Sequence, residues 1–204
     1  MNNKDKMLRG YLYDGSKDGL AEERKKTWIL LQKYNNFDVS DLDGLDALAK
    51  EIIGASKVRL RIKPPFYCDY GYNIYVGENF FANYNLTILD VAPIHIGDNV
   101  KLGPNVNIFT ASHPIDPIMR QTGLEFGQSI YIGNNVWIGG NTVINPGIMI
   151  GNNTVIGSGS VVTKNIPDSV VAAGNPCRII REINENDKIY YFKDLKYWFV
   201  IVER

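Results

Sequence analysis

Between residues 132 and 162 every sixth residue is isoleucine or valine, and this spacing constrains the fold more than any other feature of the chain. An α-helix repeats at about 3.6 residues and a sheet strand at about two, so neither element explains the pattern. A hexapeptide β-helix does, because each unit forms a short strand and a turn, and three units complete a triangular coil. We therefore predict a mainly β fold, a left-handed parallel β-helix with the apolar residues inside and glycine or asparagine in the corner conformations. The inward positions are Ile132, Ile138, Ile144, Ile150, Ile156 and Val162.

The same pattern extends upstream and is interrupted once. Ile96, Leu102 and Ile108 continue the series. The pattern then lapses over residues 113–129, a polar stretch with two prolines and two glycines. We interpret this stretch as an excursion loop that leaves one coil, and loops on rigid scaffolds are favoured places for function.

Three regions follow from these patterns. Residues 1–55 form a helical N-terminal cap, in which Leu20, Trp28 and Leu31 share one side of a helix. Residues 56–182 form the β-helix with its excursion loop, and residues 183–204 form an aromatic-rich tail. We expect the tail to cover the open end of the solenoid or to pack on a neighbouring subunit. Its apolar and aromatic residues include Tyr190, Tyr191, Phe192, Leu195, Tyr197, Trp198, Phe199, Val200 and Ile201.

The charge balance and the cysteine count exclude several classes of partner. Lys plus Arg and Asp plus Glu number 22 each, so no excess charge indicates a nucleic acid or a membrane surface. Apolar runs long enough for a membrane span or a signal peptide are absent from the sequence. Cys68 and Cys177 lack metal-ligand spacing, and we interpret them as reduced thiols of a cytoplasmic protein.

The sequence contains two histidines, and their positions differ. His95 lies between inward-pointing Ile94 and Ile96, so we expect it to face outward on a flat wall. His113 lies where the coil breaks into the excursion loop, which would leave it accessible for general-base work. Alternatively, His113 is a loop residue tied to a backbone carbonyl.

Other residues indicate a groove for a phosphorylated ligand. Thr163-Lys164, Arg178 and Arg181 bring three cations to one end of the prism, beside a stretch of small residues that permits close approach. Trp137 is a large aromatic residue at an outward position, and it could form one wall of a groove or pack against another subunit. Asn83 is a polar residue in an otherwise apolar and small coil.

Four motifs resemble the maltose and galactoside O-acetyltransferase family. They are Phe-Ala-Asn at 81–83, Thr-Ala-Ser-His-Pro-Ile-Asp-Pro at 110–117, Ile-Gly-Asn-Asn-Val-Trp-Ile-Gly-Gly at 132–140 and Gly-Asn-Pro-Cys-Arg at 174–178. The resemblance covers nearly the whole chain and includes the cap, through residues 10–14 and Glu23-Arg24.

The resemblance implies a homotrimer with active sites between subunits, acetyl-CoA as donor, and direct transfer to a sugar hydroxyl without a metal. It implies His113 as the base and Asn83 as an acceptor-side residue. Asp69 matches the maltose-type members, and Asp14 lies near the acidic residue that binds the acceptor, although residues 14–19 depart from the usual pattern. The coenzyme A positions implied by the resemblance are Trp137, Gly140, Ser158, Thr163, Lys164, Arg178 and Arg181.

Several alternatives remain at this stage. The acceptor could be an antibiotic or another hydroxyl-bearing metabolite instead of a sugar. A solenoid that serves as a binding module would show flat repetitive threonine faces and no interrupting loop. A zinc-dependent carbonic anhydrase would need three histidine ligands, more than the sequence contains. Glu125, in the excursion loop, could orient or polarise His113.

Overall fold

The structure is a computed structural model that describes residues 1–198. Its central part winds into a triangular prism of parallel strands, which confirms the predicted parallel β-helix. Wall 1 contains β1 (Ala55–Ser56), β4 (Ile74–Val76), β7 (Ile94–Ile96), β12 (Ile130–Ile132) and β15 (Met149–Ile150). Wall 2 contains β2 (Leu60–Ile62), β5 (Phe80–Ala82), β8 (Lys101–Leu102), β13 (Trp137–Ile138), β16 (Val155–Ile156) and β18 (Val170–Ala173), with β19 (Arg178–Glu182) added antiparallel to β18. Wall 3 contains β3 (Phe66–Cys68), β6 (Leu86–Leu89), β9 (Asn107–Phe109), β14 (Val143–Ile144) and β17 (Val161–Val162).

The six-residue repeat places its apolar side chains inside the prism, as predicted. Ile138, Ile144 and Ile156 are fully buried. Successive coils stay in register, so that Tyr75, His95 and Tyr131 lie one above another on the outside of wall 1. His95 therefore faces outward, with its ring stacked 4.9 Å from that of Tyr75 and 5.2 Å from that of Tyr131.

Asparagine and glycine have different tasks at the corners, which refines the sequence prediction. Asn99 and Asn135 take the left-handed conformation, with φ of 58° and 57°. Gly97, in contrast, is required by the close approach of two coils. A Cβ atom at Gly97 would lie 2.7 Å from the carbonyl carbon of Gly133 in the next coil. At the edge between walls 1 and 2 glycine sets the spacing of the coils and asparagine turns the chain, whereas Gly147 and Gly159 take the left-handed conformation at the other two edges, with φ of 77° and 73°.

The corner asparagines also bond to one another along the prism. The Asn79 amide donates to Asn99, Asn99 to Asn135, and Asn135 to Asn153, at 2.9, 3.0 and 2.9 Å. A second ladder joins the side chains of Asn85, Asn105 and Asn141 at 3.0 and 3.1 Å. Such ladders pair side-chain amides that would otherwise bond only to water.

The cap consists of α1 (Asn3–Leu8), α2 (Leu20–Asn35) and α3 (Leu42–Ile52). Helices α2 and α3 pack on the first strands of walls 3 and 2, as expected from their short length. Leu20 and Leu31 are buried, but Trp28 is 56% exposed, so its predicted place on the inner side was wrong. Thr27 takes that place instead: its hydroxyl donates to the carbonyl of Tyr70 at 2.9 Å, so the inner side of α2 here carries a hydrogen bond.

The excursion loop and the tail have structure of their own. The loop contains β10 (Ala111–Ser112), α4 (Pro117–Gln121) and β11 (Phe126–Gly127), and β10 pairs antiparallel with β11. The tail contains α5 (Asn186–Ile189) and a hairpin of β20 (Tyr190–Phe192) and β21 (Leu195–Lys196). Phe192 and Leu195 are more than half exposed, so this part of the tail does not bury them against the solenoid. Phe199, Val200 and Ile201 lie outside the described residues.

Candidate active site

The predicted functional residues lie at two edges of the prism. We name each edge by the walls that it joins: the 1–2 edge, the 2–3 edge and the 3–1 edge. Asp69 follows β3 and Thr163-Lys164 follows β17, so these residues lie at the 3–1 edge. His113 follows β10, at the base of the excursion loop that leaves the same edge.

Asp14 lies in the cap, between α1 and α2, and the remaining candidates belong to the 2–3 edge or to wall 2. Asn83 follows β5, and Gly140 and Ser158 follow β13 and β16 on adjacent coils. Trp137 projects from wall 2 and is 56% exposed. Arg178 lies opposite Ala173 at the end of β18, near the same edge. Within one chain, wall 3 separates this group from His113.

His113 is exposed, and its imidazole has no hydrogen-bond partner among residues 1–198. The alternative in which a backbone carbonyl holds this ring is therefore not observed in the described chain. The hairpin pairs Ala111 with Gly127 and Ser112 with Phe126, so the backbone just before His113 is held in a ladder. Both ring nitrogens remain available to a substrate.

Glu125 bonds to the cap instead of to His113, contrary to the hypothesis from the sequence. The Tyr13 hydroxyl donates to Glu125 Oε1 at 2.8 Å, and the two backbones exchange hydrogen bonds of 2.9 and 3.1 Å. Burial raises the pKa of the Tyr13 hydroxyl, and the nearby Glu125 carboxylate raises it further. Tyr13 therefore remains a neutral donor that fixes this carboxylate between cap and loop.

Asp69 is a half-buried carboxylate whose side chain has no hydrogen-bond partner in the described chain. Burial raises its pKa to about 6, with Arg24 lowering it and Glu125 raising it. Arg24 bridges the cap to this edge, since its guanidinium donates to the Tyr70 hydroxyl at 2.6 Å and to the Gly15 carbonyl at 2.9 Å. A carboxylate with free lone pairs beside a fixed cation can accept hydrogen bonds from hydroxyl groups.

The two other acceptor-side candidates are partly engaged by their own loops. Asp14 Oδ1 accepts from the amide and the hydroxyl of Ser16, at 2.9 and 2.6 Å, and these bonds lower the pKa of Asp14. Asn83 Oδ1 accepts from the amide of Tyr84 at 3.0 Å. That bond orients the side chain of Asn83 so that its amide nitrogen is the group left to donate.

The cationic candidates differ in how freely they could meet a phosphate. Lys164 is exposed, and Arg178 donates to the carbonyl of Cys177 at 2.8 Å. Arg181 forms a bidentate ion pair with Asp187, at 2.6 and 2.7 Å. Cys68 and Cys177 are buried free thiols, as the sequence indicated.

Comparison with known proteins identifies the family. Residues 6–57 match the maltose acetyltransferase hexapeptide capping motif, and residues 129–164 match the bacterial transferase hexapeptide (six repeats). The galactoside O-acetyltransferase of Escherichia coli is 46% identical over 94% of this chain and 95% of its own length. The chain belongs to the maltose and galactoside O-acetyltransferase family.

Two solved structures of this family have the same architecture. A maltose O-acetyltransferase from Clostridium difficile is 49% identical, covers 91% of this chain and 99% of its own, and superimposes with a TM-score of 0.88. A galactoside acetyltransferase in complex with coenzyme A is 46% identical, covers 97% of this chain and 98% of its own, and gives a TM-score of 0.94. These relatives are enzymes, and they match nearly the whole chain. The alternative of a non-catalytic binding module is therefore overturned.

The structure adds residues to the site that the sequence analysis did not assign to it. Tyr13, Arg24 and Tyr70 converge on Asp69 and Glu125 from the cap and the first coil. The Glu23-Arg24 pair in the family resemblance was a usable signal for Arg24. Nothing in the sequence pairs Tyr13 with Glu125, because 112 residues separate them.

Two kinds of site are not found in the described part of the chain. Residues 1–198 contain no group of three or more His, Cys, Asp or Glu side chains that could hold a metal ion. Among these residues there is also no helix long and apolar enough to cross a lipid bilayer.

Proposed function

We propose that this chain transfers an acetyl group from acetyl-CoA directly to a sugar hydroxyl, with His113 as the general base. The observation that carries the proposal is the state of His113, which is exposed beside an ordered hairpin and unbonded within residues 1–198. The named activities of the relatives, galactoside and maltose O-acetyltransferase, support the reaction class. The coenzyme A complex of a relative supports the donor.

The chemistry requires one base and one oxyanion donor. His113 takes the proton of the sugar hydroxyl while the oxygen attacks the thioester carbonyl, a role that contributes roughly 10²–10⁴-fold. The tetrahedral oxyanion then collapses and breaks the carbon–sulfur bond. The proton held by His113 passes to the departing thiolate, so the products are the acetyl ester and free coenzyme A. A donor near the carbonyl oxygen stabilises the oxyanion.

The acceptor binds, in this proposal, at the 3–1 edge against the cap. Asp69 accepts hydrogen bonds from sugar hydroxyls, and Arg24 and Glu125 lie close enough to it to shift its pKa. Asn83 contributes its free amide donor from the 2–3 edge of a neighbouring copy. Asp14 has one carboxylate oxygen occupied by Ser16, which leaves Oδ2 for a sugar hydroxyl.

The donor binds, in this proposal, along the 2–3 edge, where Gly140 and Ser158 follow adjacent strands of wall 2 and Trp137 projects from the same wall. Small residues at positions 140 and 158 allow the pantetheine arm to approach the backbone. Arg178 and Arg181 beside wall 2, and Thr163 and Lys164 from the 3–1 edge of a neighbouring copy, supply hydroxyl and cationic partners for the phosphates. Acetyl-CoA as co-substrate also fits the predicted cytoplasmic location.

The division of the site between two edges supports a homotrimer. A single copy has the base at one edge and the proposed acetyl-CoA groove at another, with wall 3 between them. A neighbouring copy packed along wall 3 would bring its own 2–3 edge to this His113. The outward residues of wall 3 are Tyr67, Thr87, Leu89, Asn107, Phe109, Val143 and Val161.

The test is thiol release from acetyl-CoA across a panel of sugars, for the wild type, His113→Ala and His95→Ala. We expect His113→Ala to lower kcat by about 10²–10⁴-fold on the preferred sugar. His95→Ala is the matched control, because His95 stacks on wall 1, away from both edges, and its loss should leave kcat unchanged. Turnover only on an antibiotic or another metabolite would move the acceptor outside the sugars. Equal turnover by the wild type and His113→Ala would overturn the role of His113 as the general base.

A further inference from the structure

Asp90 is a fully buried carboxylate at the 3–1 edge that the proposed mechanism does not use. It follows β6 and lies beside the turn that joins β3 to β4. Its Oδ1 accepts from the backbone amides of Asp69 and Tyr70, at 3.0 and 2.9 Å. Its Oδ2 accepts from the amide of Asn73 at 3.3 Å, and the Asn73 side chain donates to the Asp90 carbonyl at 2.7 Å.

These bonds fix the turn that presents the acceptor-side groups. The amides of Tyr70 and Asn73 are buried, and a buried amide without a partner is costly. Tyr70 in turn receives the guanidinium of Arg24 on its hydroxyl. The Asp90 side chain is therefore the acceptor for three backbone amides of this turn, and it helps to set the position of Asp69 and of the Arg24 bridge.

The charges around Asp90 show that pairing with a cation is not what holds this carboxylate. The titratable groups that interact with it are Cys68, Asp69 and Tyr72, and none of them is a cation. Burial raises the pKa of Asp90 to about 7, while the backbone amides lower it and Asp69 raises it. An ion-pair role is excluded among these neighbours, and the contacts that favour its carboxylate are the amides of the turn.

We propose that Asp90 is the positioning residue of the acceptor pocket: it holds the turn at residues 69–73 so that Asp69 meets the sugar. The inference rests on the proposed function, because it assigns Asp69 to acceptor binding. Asp90 itself is buried and touches no substrate, so its effect must pass through the turn. It should therefore act on the acceptor and leave the donor unaffected.

The experiment compares Asp90→Asn with Asp98→Asn in steady-state kinetics, varying the sugar and acetyl-CoA separately. Asparagine keeps the shape of Asp90 but offers Asn73 a donor in place of an acceptor. We expect the KM for the sugar to rise about tenfold and the KM for acetyl-CoA to stay within about twofold. Asp98 also accepts a backbone amide at a corner, that of Glu78 at 2.7 Å, but at the 1–2 edge, so its variant should leave both KM values unchanged.

A double-mutant cycle separates positioning from a general loss of structure. If Asp90 acts through Asp69, Asp90→Asn should change the sugar KM by less than about threefold once Asp69→Asn is present. An equal effect in both backgrounds, or an unchanged sugar KM in Asp90→Asn, would overturn the positioning role. If Asp90→Asn does not fold, Asn73→Ala removes one contact to Asp90 and should raise the sugar KM by a smaller factor. Failure of the wild type on every sugar would instead overturn the proposed function, and this inference with it.

Discussion

The 1–2 edge and the 3–1 edge are built on the same coils but differ in regularity. At the 1–2 edge each coil repeats one arrangement: Asn134 Oδ1 accepts from the amide of Asp98, and Asn152 Oδ1 from the amide of Asn134, at 2.7 and 2.8 Å. At the 3–1 edge the accepting residue changes from coil to coil: Asp90 accepts from the amide of Tyr70, Thr110 from that of Ala92 and Asn165 from that of Met149, at 2.9, 3.0 and 2.9 Å. One coil carries the turn held by Asp90, and another opens into the excursion loop with His113.

The contrast shows where a repeat protein can place chemistry. A corner that repeats must satisfy the coils above and below it, so each residue there is fixed by packing. A corner that breaks the repeat is released from that constraint and can present polar groups to a ligand. The 1–2 edge should therefore respond to mutation in stability, and the 3–1 edge in activity.

The largest expected effect comes from adding one carbon atom to the regular edge. Gly97→Ala would place a Cβ 2.7 Å from the carbonyl carbon of Gly133, so the two coils must separate locally. We expect a loss of about 3 kcal/mol in the free energy of unfolding, measured by thermal or denaturant unfolding. Gly123→Ala, in the excursion loop, is the control.

A Cβ at Gly123 would meet no atom within 4 Å, although its φ of +76° disfavours alanine. Gly123→Ala should therefore lower the free energy of unfolding by only about 1 kcal/mol. Equal losses at the two glycines would contradict the distinction between a packed edge and an open one.

The asparagine ladder should give a smaller effect, in two separable parts. Asn135 accepts from Asn99 and donates to Asn153, and it holds a φ of 57°. Asn135→Ala loses both bonds and places alanine in a left-handed conformation, so we expect the free energy of unfolding to fall by about 2 kcal/mol. Asn135→Gly loses the same bonds, but glycine adopts the left-handed conformation without strain, so the free energy of unfolding should fall by about 1 kcal/mol. Unfolding midpoints that do not separate the two variants would mean that the conformation of the corner carries no cost.

The regular part of the molecule was predictable from the sequence for the same reason that it is stable. Ile132 to Val162 repeat one set of contacts, so a single period fixed strand, turn and inward face together. The location of His113 was predictable because a polar break in that period marks a loop. The role of glycine was less visible, since close approach and left-handed backbone both select it.

The 3–1 edge was less predictable because its contacts are few and join residues that are far apart in the sequence. Tyr13 meets Glu125 across 112 residues, and no periodic pattern links them. Asp90 was missed because no periodic pattern marks its contacts: its side chain and its carbonyl both bond to a turn about 20 residues earlier in the chain. The division of the site between two edges could not be predicted either. To assign a residue to an edge one must know which wall each strand belongs to, and the six-residue period alone does not give this.

The smallest expected effect is a change of stability with pH, which should have opposite signs at the 3–1 edge and the 1–2 edge. Burial raises the pKa of Asp69 to about 6, so the folded state holds this proton more tightly than the unfolded state does. The wild type should therefore lose stability as the pH rises from about 4 through about 6, an effect on the order of 1 kcal/mol for this half-buried group. Asp69→Asn should gain thermal midpoint relative to the wild type over that range.

At the 1–2 edge the sign reverses. Bonds from the Glu78 amide and the Lys57 ammonium lower the pKa of Asp98, so its contribution is present above the unfolded pKa and is lost as the pH falls through the folded one. Asp98→Asn should be less stable than the wild type at pH 7.5, and the gap should narrow toward pH 3. Thermal midpoints of both variants across this range check the prediction. If the two differences follow pH in the same direction, the two edges do not differ electrostatically in the way that their geometry indicates.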